Sequence, residues 1–369
     1  MKRAANFSFD SRSPGFRERL QAGETLICAE GYCFAFERQG YVKAGPLVPE
    51  VVMDHPELVR QMYRDFVRAG SDVVVALTYY ANRKKMSLMD REGQLESLNR
   101  RALRMAREVA DETGTLMCGD ISNTGDWFPD NEESQARTRA MFKEQIQWAV
   151  EEGADYIIGE TFSFFGEALL ALQCIQKHGK GLPAVITLSA KWMKTADGKP
   201  ALFDIGVVDA LKRLEAAGAD VVGFNCMRGP YTMIPLLEEA VAAGIKIPLA
   251  AVPIPYRTTE EEPTLWQLKD PYTGASCYPT NMDCRLCSRD DIGHFTRKIN
   301  KLGIQYMGLC CGNAPHYTRT MAEALGRHPE ASKYSPDVFK NMYAGAHDSK
   351  YLPEGFSWTS TKGDSSKEA

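Results

Sequence analysis

Glu152-Gly153-Ala154-Asp155-Tyr156-Ile157-Ile158 holds the pattern that decides the fold. A helical stretch ends in a small residue and Gly, and a short apolar run starts at once. The same sequence logic recurs at Ala69-Gly70-Ser71-Asp72-Val73-Val74-Val75, at Ala217-Gly218-Ala219-Asp220-Val221-Val222 and at Leu302-Gly303-Ile304-Gln305-Tyr306-Met307. Gly suits the end of a helix because it adopts the left-handed conformation without a Cβ clash. The uninterrupted apolar run after it reads as a strand covered on both faces, as parallel strands are.

Working outward from these units, eight strands are expected near 25–31, 72–79, 115–121, 154–161, 183–189, 219–226, 247–254 and 304–311. Helical patterns follow at 55–69, 93–113, 131–152, 166–178, 206–217, 231–243, 290–302 and 315–326. In the third, Met141, Ile146, Trp148, Ala149 and Val150 recur with charges between them, and Asp130 is the expected cap. Eight strand–helix alternations imply a parallel sheet with crossover helices, and eight is the number that closes a (β/α)8 barrel. A doubly wound open sheet is the rival, but eight units fill the chain and leave no second domain. The expected organisation is α/β: a TIM barrel over 1–330 with extended βα loops, then a short, partly irregular C-terminal tail over 331–369. Two loops stand out, at about 190–205 and 255–289. Both follow strands, which places them on the face where barrel enzymes keep their sites.

Composition excludes several functions. The 369 residues contain 44 Lys+Arg against 48 Asp+Glu, which leaves no basic excess for a nucleic-acid backbone. A membrane helix needs roughly 20 unbroken apolar residues, and the apolar runs here are strand length. The start, Met1-Lys2-Arg3-Ala4-Ala5-Asn6, is basic with no apolar stretch behind it, which argues against a secretory signal. A cytoplasmic location is expected, where ten cysteines spread over a long chain suggest packing, metal binding or catalysis rather than disulfides.

Cys226 closes the sixth expected strand and Cys310-Cys311 closes the eighth. Strand ends of a barrel look into one central pocket, so three thiolates from two strands can converge on one ion. Zinc accepts three protein ligands and keeps a fourth position open when it is catalytic. Adjacent cysteines in an extended strand face opposite ways, so Cys310 and Cys311 share an ion only if the backbone turns, which Gly312 permits. Ordinary burial is the alternative, since free Cys is among the most buried residue types. Cys284-Arg285-Leu286-Cys287 is a second spacing of metal-binding type, on a loop of unknown direction. Three thiolates with an open position favour a thiol substrate and sulfur alkylation; a zinc hydrolase more often uses His and carboxylates around water.

At these residues the sequence resembles the homocysteine S-methyltransferase family, and within it the betaine–homocysteine branch. The resemblance spans about 20–328. Its most specific pieces are Gly40-Tyr41-Val42-Lys43-Ala44-Gly45-Pro46, Pro49-Glu50, Gly223-Phe224-Asn225-Cys226 and Cys310-Cys311-Gly312. It implies a (β/α)8 barrel, zinc held by Cys226, Cys310 and Cys311, and methyl transfer from an onium donor to homocysteine, giving methionine. It further implies that Glu160 binds the homocysteine ammonium group, within a site that includes Glu30, Gly31 and Asn225. Tyr80 matches a donor-site tyrosine. Asp283 stands where a glutamate is expected.

Departures from the family pattern fall mostly on the donor side. The strand-one acid is displaced by one position in Ala29-Glu30-Gly31; the branch's Trp is Leu47; its Tyr after the strand-four glutamate is Thr161. Onium groups are normally held by aromatic faces. Trp127, Phe128, Phe162, Phe164 and Phe165 are candidates to rebuild such a cage, with packing under a loop as the alternative. The expected partners are homocysteine and a small methyl donor, either betaine-type or a sulfonium such as dimethylsulfoniopropionate or S-methylmethionine. A homodimer is the working expectation. A barrel that binds zinc or thiols without catalysis, and a zinc enzyme acting on another thiol, are the other readings.

Overall fold

The computed structural model describes residues 14–43 and 49–336. Its centre is a closed barrel of eight parallel strands: β1 Leu26–Ala29, β2 Val73–Val75, β3 Leu116–Ser122, β4 Tyr156–Phe162, β5 Ala184–Leu188, β6 Val221–Asn225, β7 Leu249–Val252 and β8 Tyr306–Leu309. β8 closes onto β1 with Leu26 opposite Tyr306 and Ala29 opposite Leu309. Every strand residue is buried, because helices cover the outside and side chains fill the inside. The eight expected helices are present at Pro56–Arg68, Leu95–Thr113, Glu132–Glu151, Phe165–His178, Val207–Ala216, Pro230–Ala242, Arg289–Lys301 and Pro315–Ala324.

The recurrent Gly–x–Asp unit has a physical reason. Gly70, Gly153, Gly218 and Gly303 all have φ between 79° and 111°, the left-handed turn that ends each helix. The Asp then serves the neighbouring strand. Asp72 Oδ2 accepts from Ile27 N at 2.8 Å, Asp155 Oδ2 from Met117 N at 2.6 Å, and Asp220 Oδ2 from Ala184 N at 2.8 Å. A backbone donor at a strand entrance would otherwise be buried without a partner.

Three differences from the sequence reading have local causes. Asn131, not Asp130, caps Glu132–Glu151: its Oδ1 accepts from Ser134 N at 2.9 Å. The cap must sit directly before the first helical residue, which is Glu132. Short helices at Phe16–Gln21, Cys33–Arg38, Val51–Asp54 and Arg83–Ser87 were not expected; none is long enough to show a clear period. Phe16, on the first of them, stacks on Tyr156 at 4.1 Å and meets Tyr306 at 6.3 Å, closing the floor of the barrel. Ala44-Gly45-Pro46, Leu47, the basic start and most of the expected tail lie outside the described residues. Among the described residues, no helix is long and apolar enough to cross a membrane.

Candidate active site

The chain turns sharply at the ends of β6 and β8. Cys226 and Met227 both take positive φ, 56° and 55°, while Cys226 N still donates to Val252 O at 2.9 Å. After β8, Gly312 has φ 96°, and a Cβ there would lie 2.6 Å from the Tyr256 hydroxyl. These turns do what an extended strand cannot: they bring Cys310 Sγ to 3.8 Å from Cys311 Sγ, and Cys226 Sγ to 3.7 Å from Cys311 Sγ. All three sulfurs lie within 4.8 Å of one another, and all three are free thiols. Hydrogen bonds with Cys310 and Cys311 hold the Cys226 thiol well below its usual range, and those same bonds to Cys226, with burial and its charge, push the other two up. Without a cation the cluster therefore favours one thiolate; a soft dication is the group whose charge would let all three ionise. The donor set fits such an ion.

Beside the thiols is a small cavity whose lining includes Cys310, Cys311, Glu30, Asp120 and Glu160. Glu160 sits on β4. Its Oε2 accepts from Asn225 Nδ2 at 2.5 Å and from Thr161 Oγ1 at 3.1 Å. Asn225 Nδ2 is also 4.0 Å from Cys310 Sγ, so one amide ties the carboxylate to the sulfurs. Thr161 adopts φ 62°, and its N–H donates to Asn225 Oδ1 at 2.9 Å.

Glu30 reaches the same cavity from the other side. The displaced acid does not face outward, because the chain leaves β1 at Ala29 and turns at Gly31 with φ 79°. A Cβ on Gly31 would collide with the Cys310 carbonyl, so only Gly allows strand one to approach the cysteine turn this closely. Glu30 Oε1, Glu30 Oε2 and Asp120 Oδ1 are buried and receive no N–H or O–H from the protein. Burial and mutual repulsion raise the pKa of Glu30 and Asp120 well above the usual range; burial pushes Glu160 up to about 7. Three buried carboxyl groups, those of Glu30 and Asp120 with unpartnered oxygens, form a place for a cation.

Lys85, from Arg83–Ser87, was not singled out by sequence; in Asn82-Arg83-Lys84-Lys85 it reads as part of a solvated basic run. Its ammonium donates to Ser122 Oγ at 2.8 Å and Tyr79 O at 3.2 Å, and lies 4.1 Å and 5.2 Å from the ring centroids of Tyr79 and Tyr80. Desolvation lowers its pKa to about 8. Asp120 was also missed, although an acid inside the fully buried stretch Leu116–Ser122 is a usable signal.

Tyr80 lines the cavity, but other expected residues do not come to it. Asp283 is on the surface, where its carboxylate pairs with Arg38 at 2.5 Å. Phe162 packs outward against Phe142, Trp127 packs on Phe164, and Phe165 lies under Arg213; Phe128 is exposed. These five aromatics cover helices and loops and do not build a cage around the cavity. Cys284 does not converge with Cys287. It lies 3.6 Å from Cys277, and Cys287 is buried under Tyr317, whose hydroxyl donates to its carbonyl at 2.6 Å.

Residues 29–325 match the family model described as homocysteine S-methyltransferase. Betaine–homocysteine S-methyltransferase 1 of Xenopus tropicalis is 33% identical over 335 residues, which cover 89% of this chain and 79% of that protein. S-methylmethionine–homocysteine S-methyltransferase BHMT2 of Pongo abelii is 32% identical over 315 residues, covering 84% and 81%. Among solved structures, the homocysteine methyltransferase MmuM from Escherichia coli in its metallated form shares the fold. Its TM-score is 0.62 at 17% identity, over 82% of this chain and 98% of that one.

Proposed function

This chain belongs to the homocysteine S-methyltransferase family, and we propose that it transfers a methyl group from an onium donor to homocysteine at a zinc site formed by Cys226, Cys310 and Cys311. It is an S-methyltransferase whose substrates are homocysteine and a methyl donor. The single observation behind the site assignment is the juxtaposition of three thiols within 4.8 Å and a cavity walled by three carboxyl groups. That arrangement suits a small molecule with a sulfur at one end and an ammonium at the other.

Cys226, Cys310 and Cys311 would hold the zinc, whose positive charge would favour the thiolate form of the substrate near neutral pH. The chain's residues do the rest. Glu160 and Glu30 receive the homocysteine ammonium, releasing the proton that the buried pair otherwise retains. Asn225 holds Glu160 and the cysteine turn in one register, so that the sulfur and the amino group are positioned together. The homocysteine thiol loses its proton to solvent, its sulfur forms a bond to the donor's methyl carbon, and the carbon–onium bond breaks. The electron pair leaves on a neutral amine or thioether, so no general acid is required. Catalysis then rests on alignment and exclusion of water.

The donor reading is betaine-type, with a sulfonium as the second choice. Relatives of nearly equal identity are named for betaine and for S-methylmethionine, which supports an onium donor of either kind. The test is methionine formation from homocysteine by zinc-loaded protein with glycine betaine as sole donor. Turnover is the expected result. Failure, with folded zinc-loaded protein, overturns the betaine assignment and passes the question to a sulfonium panel.

A further inference from the structure

Among the described residues, two ammonium groups each lie over a pair of aromatic rings, and they differ in one respect. At Tyr79 and Tyr80 the cation is Lys85, tethered by hydrogen bonds to Ser122 and to Tyr79 O. The second lies on the two long loops. Lys191 Nζ is 4.6 Å from the ring centroids of both Phe203 and Trp266. Trp192 lies 6.0 Å from Trp266, and Tyr278 lies 6.4 Å from it on another side. Among the described residues, the Lys191 ammonium has no hydrogen bond and no carboxylate partner. The four aromatic side chains are between 39% and 43% exposed, so solvent reaches the cluster.

The cluster is fastened to the cysteine site by its backbone. Leu265 N, one residue before Trp266, donates to Met227 O at 2.7 Å, and Met227 directly follows Cys226. Arg228 donates to Ala190 O at 2.9 Å and to Lys191 O at 2.6 Å, which fixes the base of the other loop. β5, β6 and β7 are consecutive barrel strands, so the loops after β5 and β7 flank Cys226 at the end of β6.

We propose that Trp192, Phe203, Trp266 and Tyr278 form the binding site for the donor's methylated onium group, with Lys191 as a releasable placeholder cation that turns to pair with the donor's carboxylate. The ligand class is a zwitterion with a methylated nitrogen or sulfur cation a short distance from a carboxylate. An untethered ammonium between two ring faces shows that the cluster accepts positive charge, and its release leaves one unpaired cation for one carboxylate. The inference deepens the methyl-transfer reading and rests on it for the donor's role.

The test titrates the full-length zinc-loaded protein with glycine betaine, dimethylsulfoniopropionate and 3,3-dimethylbutanoate, the isostere of glycine betaine in which a neutral carbon replaces the ammonium nitrogen and the carboxylate is kept, by calorimetry and tryptophan fluorescence. The onium compounds should bind about tenfold more tightly than the isostere and change the tryptophan emission. Trp266→Ala should abolish that preference and raise the donor KM about tenfold, with the homocysteine KM shifted less than about twofold; Trp266→Phe should restore most of it. Lys191→Met should weaken glycine betaine, which loses its carboxylate partner, while tetramethylammonium, which no longer competes with the lysine ammonium, should bind at least as tightly as to wild type. Equal binding of the isostere, an effect of Tyr272→Ala at the exposed loop tip as large as that of Trp266→Ala, or onium affinity unchanged in both Trp192→Ala and Trp266→Ala would overturn the proposal. Onium binding with emission change but no methionine formed keeps the cage and overturns the transfer reading. Methionine formation with a normal donor KM in Trp266→Ala overturns the cage alone.

Discussion

Two groups of cysteines invite comparison. Cys226 and Cys311 are 85 residues apart in sequence, yet their sulfurs lie 3.7 Å apart. Cys284 and Cys287 have the short spacing associated with metal loops, yet Cys284 turns to Cys277 and Cys287 is buried elsewhere. The barrel brings strand ends to one axis whatever their sequence separation, and left-handed turns at Cys226, Met227 and Gly312 then aim the thiols together. A loop has no such common axis. The lesson is that position at the end of a barrel strand is a stronger signal for a joint site than a short spacing.

The sharpest way to break this comparison is Cys310→Ala. Metal content and methionine formation should both collapse, by more than the ~10–100-fold typical of losing an outer-shell partner. Full activity in a metal-free variant, read by metal analysis alongside turnover, would remove the thiol cluster from the mechanism.

Glu160→Gln probes the carboxylate half of the same site. Removing a buried charge partner should weaken homocysteine binding by roughly 30-fold or more, while metal content is retained. The pH dependence has a definite sign. Glu160 holds an ammonium only as a carboxylate, and its pKa is pushed up to about 7, so wild-type homocysteine affinity should fall as pH drops through about 7. For the ligand-free fold the sign is opposite: a raised carboxyl pKa contributes stability below its ordinary value of 4.5 that is lost as pH rises through about 7. Calorimetric binding and melting temperatures across pH 5–8 should show both slopes in wild type and flatter ones in the variant. Identical slopes would mean that another group titrates.

The smallest effect is expected at Cys284→Ser. It is exposed and outside the thiol cluster, so stability should change by no more than about 0.5 kcal/mol, with metal content and turnover preserved. Loss of an equivalent of metal would reverse the comparison by revealing a second centre on the loop.

Much of this was legible in the chain because it depends on local chemistry. Gly-ended helices and apolar runs named eight strands and eight helices to within a few residues, strand-end position singled out the three cysteines, and the family resemblance pointed to Glu160. The Asp of the repeat was visible, but its hydrogen bond to a neighbouring strand was not, since the partner is tens of residues away. Lys85 reads as a surface residue in any window of sequence; only packing against Tyr79, Tyr80 and Ser122 encloses its ammonium. Trp127, Phe162 and their neighbours showed the reverse: aromatic identity was plain, but strand alternation and helix packing turned them away from the cavity.

By itself, then, the sequence determined the number and order of the strands, the family and the residue types available at each strand end, because hydrophobic period and glycine placement are properties of short segments. The tertiary structure decided which of those groups meet. Closure of the barrel put Glu30, Asp120 and Glu160 into one cavity, and the turn at Gly31 reoriented an acid whose sequence position suggested the wrong face. It also gathered Trp192, Phe203, Trp266 and Tyr278 from two separate loops. Such convergence depends on barrel closure and backbone turns that bring distant residues together, and no short window of sequence contains that information.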